Sequence, residues 1–123
     1  MAHLIGLDTR ADSRGCLTVI EKVLPFEIKR VFYIYAVPDP STVRGGHRHK
    51  KTVQALISLR GSCVVSTDDG GEKKSFTLGS PDECLILEPR DWHTMRDFTK
   101  DCILLVMASE YYDPADYIKE GYR

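Results

Sequence analysis

The sequence predicts an all-β sandwich or barrel. Three observations carry this: apolar, β-branched runs of strand length recur along the chain, turn residues separate them, and no helical repeat of apolar positions outlasts about two turns before the tail. The first run, LTVIEKV (17–23), follows the turn signal RGC. RVFYIYAV (30–37) is closed by PDPS, and RGG precedes VQALISL (53–59). A single RG separates that run from SCVVST (62–67). DDGG then leads to KSFTL (74–78), with Asp69-Gly70 as a hairpin signal. GSPDE introduces CLILEP (84–89), and FTKD introduces CILLVMAS (102–109). In the tail, DPADYIKEGY is expected to form one short helix capped by Asp113, with Pro114 in its first turn.

A chain of 123 residues has room for one core, so residues 1–123 are expected to form a single domain. The composition, 42% apolar and 28% charged, suits a globular protein, and no segment approaches the roughly 20 apolar residues that span a bilayer. The N-terminal stretch has no apolar core of a secretory signal, so a cytoplasmic location is expected. Net charge is −1, which provides no global field for a nucleic-acid polymer. A local cluster of Arg30, Arg44, Arg48, Lys50 and Lys51 points to a small anion instead. Cys16, Cys63, Cys84 and Cys102 are widely spaced without CxxC pairs and read as reduced, buried small hydrophobes.

The segment RGGHRHKK (44–51) carries the chemistry. On an extended strand His47 and His49, two apart, project from one face. From them the pattern runs H-x-H-x4-Q-x6-G, through Gln54 to Gly61, and PRDWH (89–93) forms a weaker second motif ending at His93. These spacings resemble the motifs of the cupin superfamily, whose small jelly-roll β-sandwiches enclose a cavity for small molecules. Two departures argue against a metal. Gln54 replaces the usual carboxylate with a neutral amide, and His93 falls one residue early, a slip expected to turn its side chain to the opposite face. No metal and no other cofactor is expected. A pair of imidazoles in a cavity then suits proton transfer near neutral pH.

Six blocks in order, DSRGCLTVIE, PFEIKRVFYI, RGGHRHKK, QALISLRGSC, DWHTM and ASEYYDPADYI, resemble a narrower family: the cupin 3,4-ketoisomerases acting on dTDP-4-keto-6-deoxyglucose. The resemblance implies a metal-independent homodimer with an exchanged N-terminal strand. It implies a dTDP-linked 4-keto-6-deoxy sugar as substrate and a downstream aminotransferase that makes 3-amino-3,6-dideoxy sugars for surface glycans or natural products. Carried onto this sequence, it places the family's histidine pair at His47 and His49, and the proton chemistry points to His47 as the lead base with His49 as its proton-transfer partner. Arg30, Arg44, Tyr33 and Tyr35 become phosphate and sugar contacts, with Tyr35 also counted among the catalytic residues. Arg14 with His93 resembles the galacto-product type, in which His93 would protonate or orient C4.

Four further positions keep two readings each. Trp92 is either a stacking surface for thymine or a core residue, and Lys51, like Lys50, either attracts diphosphate or is solvated surface. Arg14 could be a turn residue paired with a carboxylate. Gln54 is expected to hold a histidine ring in one tautomer. The chemistry needs no redox cofactor: removing the C3 proton beside the C4 ketone gives an enediol or enediolate, and protonating C4 completes the shift. Competing readings are the gluco-product isomerase, C3/C5 epimerisation of the same substrate and a non-catalytic sugar-nucleotide binding module.

Overall fold

The computed structural model describes residues 1–123. Its strands are β1 (His3–Gly6), β2 (Asp8–Asp12), β3 (Gly15–Val19), β4 (Arg30–Ile34), β5 (Arg44–His49), β6 (Gln54–Arg60), β7 (Cys63–Asp68), β8 (Lys73–Leu78), β9 (Glu83–Leu87), β10 (Trp92–Arg96), β11 (Ile103–Ala108) and β12 (Tyr117–Ile118). Two five-stranded sheets, ordered β1-β9-β6-β11-β4 and β12-β5-β10-β7-β8, face each other, and β2–β3 form a separate hairpin. All pairings are antiparallel. This is the all-β cupin-type sandwich the sequence predicts.

Alternation explains which runs were easy to read. Between the sheets lie Leu56, Val65, Leu78, Leu85, Leu104 and Val106, all but sealed from solvent. The first sheet is also covered on its outer face, where Ala55, Ile57, Cys84, Ile86 and Met107 pack with Leu7, and with Ile20, Leu24 and Phe26 from the segment after β3. Strands buried on both faces need apolar residues at every position, which gives the unbroken runs of β6, β9 and β11. In the second sheet β7 buries only alternate residues, Cys63, Val65 and Thr67. The Asp69-Gly70 signal marks the turn between β7 and β8, closed by Asp69 N–H donating to Glu72 O at 3.2 Å.

Three expectations are corrected. The tail forms only one turn of 3-10 helix, Pro114–Asp116, with Asp113 capping Ala115 N–H as expected. The helix stops there because Tyr117 and Ile118 are taken up by the open edge of β5. The run at 17–23 is strand only to Val19; beyond it Ile20 and Leu24 serve the outer cluster as loop residues. Cys63, Cys84 and Cys102 are buried, but Cys16 is exposed on the hairpin. Burial pushes the Cys63 and Cys84 thiols up to about 12 and about 11, which keeps both protonated and inert.

Candidate active site

The two glycines before the histidine pair set the register of β5. Across β10, His47 lies opposite His93, but the next paired position sets Gly45 against Thr94, so Gly46 is an extra, unopposed residue. Such a bulge needs backbone that side chains resist, and Gly45 and Gly46 have φ of 83° and 79°. With strict alternation Arg44 and the histidines would point to opposite faces; the inserted residue lets Arg44 and His47 reach the same cavity.

That cavity, of about 240 Å³, opens between the two sheets. β4 contributes Arg30, Phe32 and Ile34, β6 contributes Gln54 and Leu56, and β10 contributes His93 and Met95. Tyr117 closes one side. The His47 ring is the hub: its centroid is 5.0 Å from His49, 4.9 Å from His93 and 4.7 Å from Tyr117. Tyr117 also stands 4.7 Å from His49, edge to face. His49 and His93 are buried and His47 half-buried. His93 Nδ1 lies 3.0 Å from the Asp91 carbonyl, so this nitrogen carries the hydrogen and Nε2 is left with a lone pair. His49 Nε2 is buried without a hydrogen-bond partner.

Burial lowers all three imidazole pKa values. His47 falls below its ordinary value. His49 falls to about 4, through burial first and then the neighbouring His47, with Asp116 opposing and Arg30 assisting. His93 falls to about 3, through burial first, with its bond to Asp91 opposing and the neighbouring His47 and His49 assisting. The cluster is therefore neutral at pH 7, with unprotonated ring nitrogens facing the cavity. The same shifts predict how stability depends on pH. The unfolded chain binds protons at these histidines below about pH 6.5, whereas the folded chain refuses them down to about pH 4 at His49 and about pH 3 at His93. Stability from this source is complete above about pH 6.5 and is lost as pH falls through that window. Urea denaturation at pH 7 and pH 5 should differ by on the order of 2–4 kcal/mol; equal stabilities would mean the rings protonate without cost.

Arg30 and Arg44 add positive charge without a carboxylate partner among the ion pairs of the chain. The Arg30 guanidinium lies between the Phe32 ring, 4.5 Å away, and the Tyr112 ring, 5.2 Å away. Two free guanidiniums beside neutral imidazoles form a place for an anionic group next to proton-transfer chemistry. No group of three or more His, Cys, Asp or Glu side chains is arranged to hold a metal ion.

Of the residues singled out from sequence, His47, His49, His93, Arg30, Arg44 and Gln54 converge here. His93 does not turn away as its one-residue slip suggested; it faces inward, opposite His47. Gln54 reaches the cavity but bonds no histidine, the fixed tautomer being that of His93 through Asp91. Tyr33 and Tyr35 are exposed on the outer side of the sheet, 5.7 Å apart, because alternation from Arg30 puts Phe32 and Ile34 inside. Trp92 precedes His93 and so faces outward, where its Nε1 donates to Lys119 O at 3.0 Å. It belongs neither to the core nor to the cavity. Lys51 is exposed beside the 3-10 turn. Arg14 sits at the tip of the β2–β3 hairpin, paired with Asp12 at 2.7 Å and away from the cavity of its own chain. Sequence reasoning missed Phe32, Met95, Tyr117 and Asp116. Parity with Arg30 and His93 would have found the first two; no local signal marks the others.

The family model for WxcM-like, C-terminal (FdtA) matches residues 1–123. A TDP-4-oxo-6-deoxy-alpha-D-glucose-3,4-oxoisomerase from Aneurinibacillus thermoaerophilus is 49% identical over 111 residues, covering 89% of this chain and 79% of that protein. The crystal structure of a 3,4-ketoisomerase from Helicobacter canadensis superposes with a TM-score of 0.91 at 39% identity, over 97% of this chain and 90% of the other. A sugar 3,4-ketoisomerase from Thermoanaerobacterium thermosaccharolyticum, in complex with TDP, gives 0.92 at 46% identity, over 97% and 88%. A fold, a histidine cluster and a full-length match agree, and the chain belongs to the WxcM-like cupin family of dTDP-sugar 3,4-ketoisomerases.

Proposed function

We propose that the chain converts dTDP-4-keto-6-deoxy-D-glucose into its 3-keto galacto isomer. It is an isomerase, and a 3,4-ketoisomerase reaction on a dTDP-linked 4-keto-6-deoxy sugar is supported by its relatives. The observation that carries the reading is the set of three neutral imidazoles and two unpaired guanidiniums around one cavity. Arg30 and Arg44 hold the diphosphate, and the ring of the sugar lies against His47. His47 takes the C3 proton, and the electron pair of that C–H bond moves through C4 onto the carbonyl oxygen to give an enediolate. The C3 hydroxyl then gives up its proton as its oxygen becomes the new carbonyl. C4 receives a proton, and the former carbonyl oxygen becomes a hydroxyl. Two protons leave, one from C3 and one from its hydroxyl, and two return, one to C4 and one to the former carbonyl oxygen; no net oxidation occurs, His49 passes protons between the oxygens, and protons held on the imidazoles exchange with solvent.

The galacto assignment is supported by His93 facing the His47 ring across the cavity, placed to orient the C4 proton from that side, or to pass it on after taking it up at Nε2. Arg14 joins it only from a second copy of the chain. The exposed β2–β3 hairpin, with Leu17 in solvent, is suited to lie on such a partner, and we include a homodimer in the proposal. The 3-keto product would feed a C3 aminotransferase. Proton NMR of the reaction in deuterated buffer, with that class of aminotransferase trapping the product, tests the whole. A 3-keto galacto product with deuterium at C4 is expected. A gluco product would remove the stereochemical assignment, and an unchanged sugar without exchange at C3 would overturn the isomerase reading.

A further inference from the structure

A buried carboxylate stands next to the histidine cluster without lining the cavity. Asp116, 4% exposed, accepts the Lys51 N–H at 2.9 Å and the Thr52 hydroxyl, while its own carbonyl accepts the Lys50 N–H at 2.9 Å. It thus grips all three residues that follow His49, and the residue after it, Tyr117, is the strand partner of His49. Both carboxylate oxygens act as acceptors, which is the bonding of the ionised form. Burial works to raise its pKa, but the bonds from Thr52 and Lys51 and the nearby His49 outweigh it and hold the group below its ordinary value.

From every other side His49 meets groups that do not favour a positive charge. His47 on its own strand and Arg30 on β4 oppose protonation. His93 on β10 is a neutral, buried ring, and Tyr117 on β12 presents an aromatic edge. Its Nε2 has no hydrogen-bond partner. Asp116 is the one anionic neighbour that favours the charged ring.

We infer that Asp116 is a positioning residue for the proposed reaction, the countercharge that lets His49 hold a proton in transit while its grip on residues 50–52 fixes where His49 and Tyr117 stand. The inference rests on the isomerase reading. It differs from a purely structural joint in that it ties the carboxylate to one proton-transfer ring.

The test compares the wild type with Asp116→Asn, which keeps the size and one acceptor oxygen but loses the charge. By NMR of histidine-labelled protein, the His49 titration is expected to drop by about one pH unit. kcat should fall about tenfold with KM within twofold, and the limb of the kcat–pH profile that reports His49 should move to lower pH. An unmoved His49 titration, or a loss of activity with an unaltered pH profile, overturns the inference. Should Asp116→Asn not fold, the wild type answers alone: the carboxyl carbon resonance of Asp116 should shift in step with His49 protonation, and a resonance blind to His49 overturns the idea. Failure of the isomerase reading is separate, because the wild type itself would then leave the keto sugar unchanged.

Discussion

The His47→Asn variant is expected to lose about 10³-fold in kcat while KM for the keto sugar stays within roughly threefold. Asparagine retains a polar group of similar reach but cannot take a proton from carbon, so the loss falls on the transition state alone. Binding should survive because the proposed diphosphate contacts, Arg30 and Arg44, lie on β4 and at the far end of β5 and are left intact. The fold should survive too: His47 is half-buried and contacts its neighbours through ring edges. Steady-state kinetics with thermal melting decides the matter. If His49→Asn abolishes turnover and His47→Asn costs less than tenfold, the two rings have exchanged roles.

The second large effect is structural. A β-carbon on Gly45 would lie 2.9 Å from the His93 carbonyl oxygen and 3.2 Å from Met95 Cε, on a backbone with φ of 83°. Left-handed backbone costs an L residue about 1–2 kcal/mol, and forcing atoms into a packed region costs about 1–3 kcal/mol. Gly45→Ala is therefore expected to destabilise the protein by about 2–4 kcal/mol and to reduce activity by separating His47 from His93 as β10 is pushed away. The control is Gly6→Ala on β1, where nothing lies within 4 Å of the added carbon and φ is not positive; its change should stay within about 0.5 kcal/mol. Urea midpoints for the two variants would check both, and a Gly45→Ala protein as stable as the wild type would mean the bulge can relax.

These two sites also show what the sequence could and could not convey. Strands buried on one or both faces announced themselves through apolar spacing, as in β6, β7, β9 and β11. β2, with the sequence DTRAD, is exposed throughout and offers no such signal. β5 concealed itself behind two glycines, residues that suggest a loop but here set the register of a strand. The histidines were legible because i, i+2 spacing needs only extended backbone. Tyr33 and Tyr35 came with the family resemblance, and parity sets them apart from the cavity of this chain: residues an odd number of steps from Arg30 do not share its face on a regular strand. Asp116 and Tyr117 were out of reach of any local rule, since Asp116 meets Lys51, just past β5, from 65 positions further along the chain, and Tyr117 pairs with His49 from beyond it.

That separation has a consequence during synthesis. Ribosomes add about 5–20 residues per second, so roughly 3–13 s pass between the making of Lys51 and of Asp116. For the first part of that interval β5 lacks β10, and for all of it β5 lacks β12, so the nascent histidine pair stands on a glycine-softened strand with at least one open edge. The polar character of RGGHRHKK, so suited to handling protons later, also makes that waiting edge a poor template for neighbouring nascent chains.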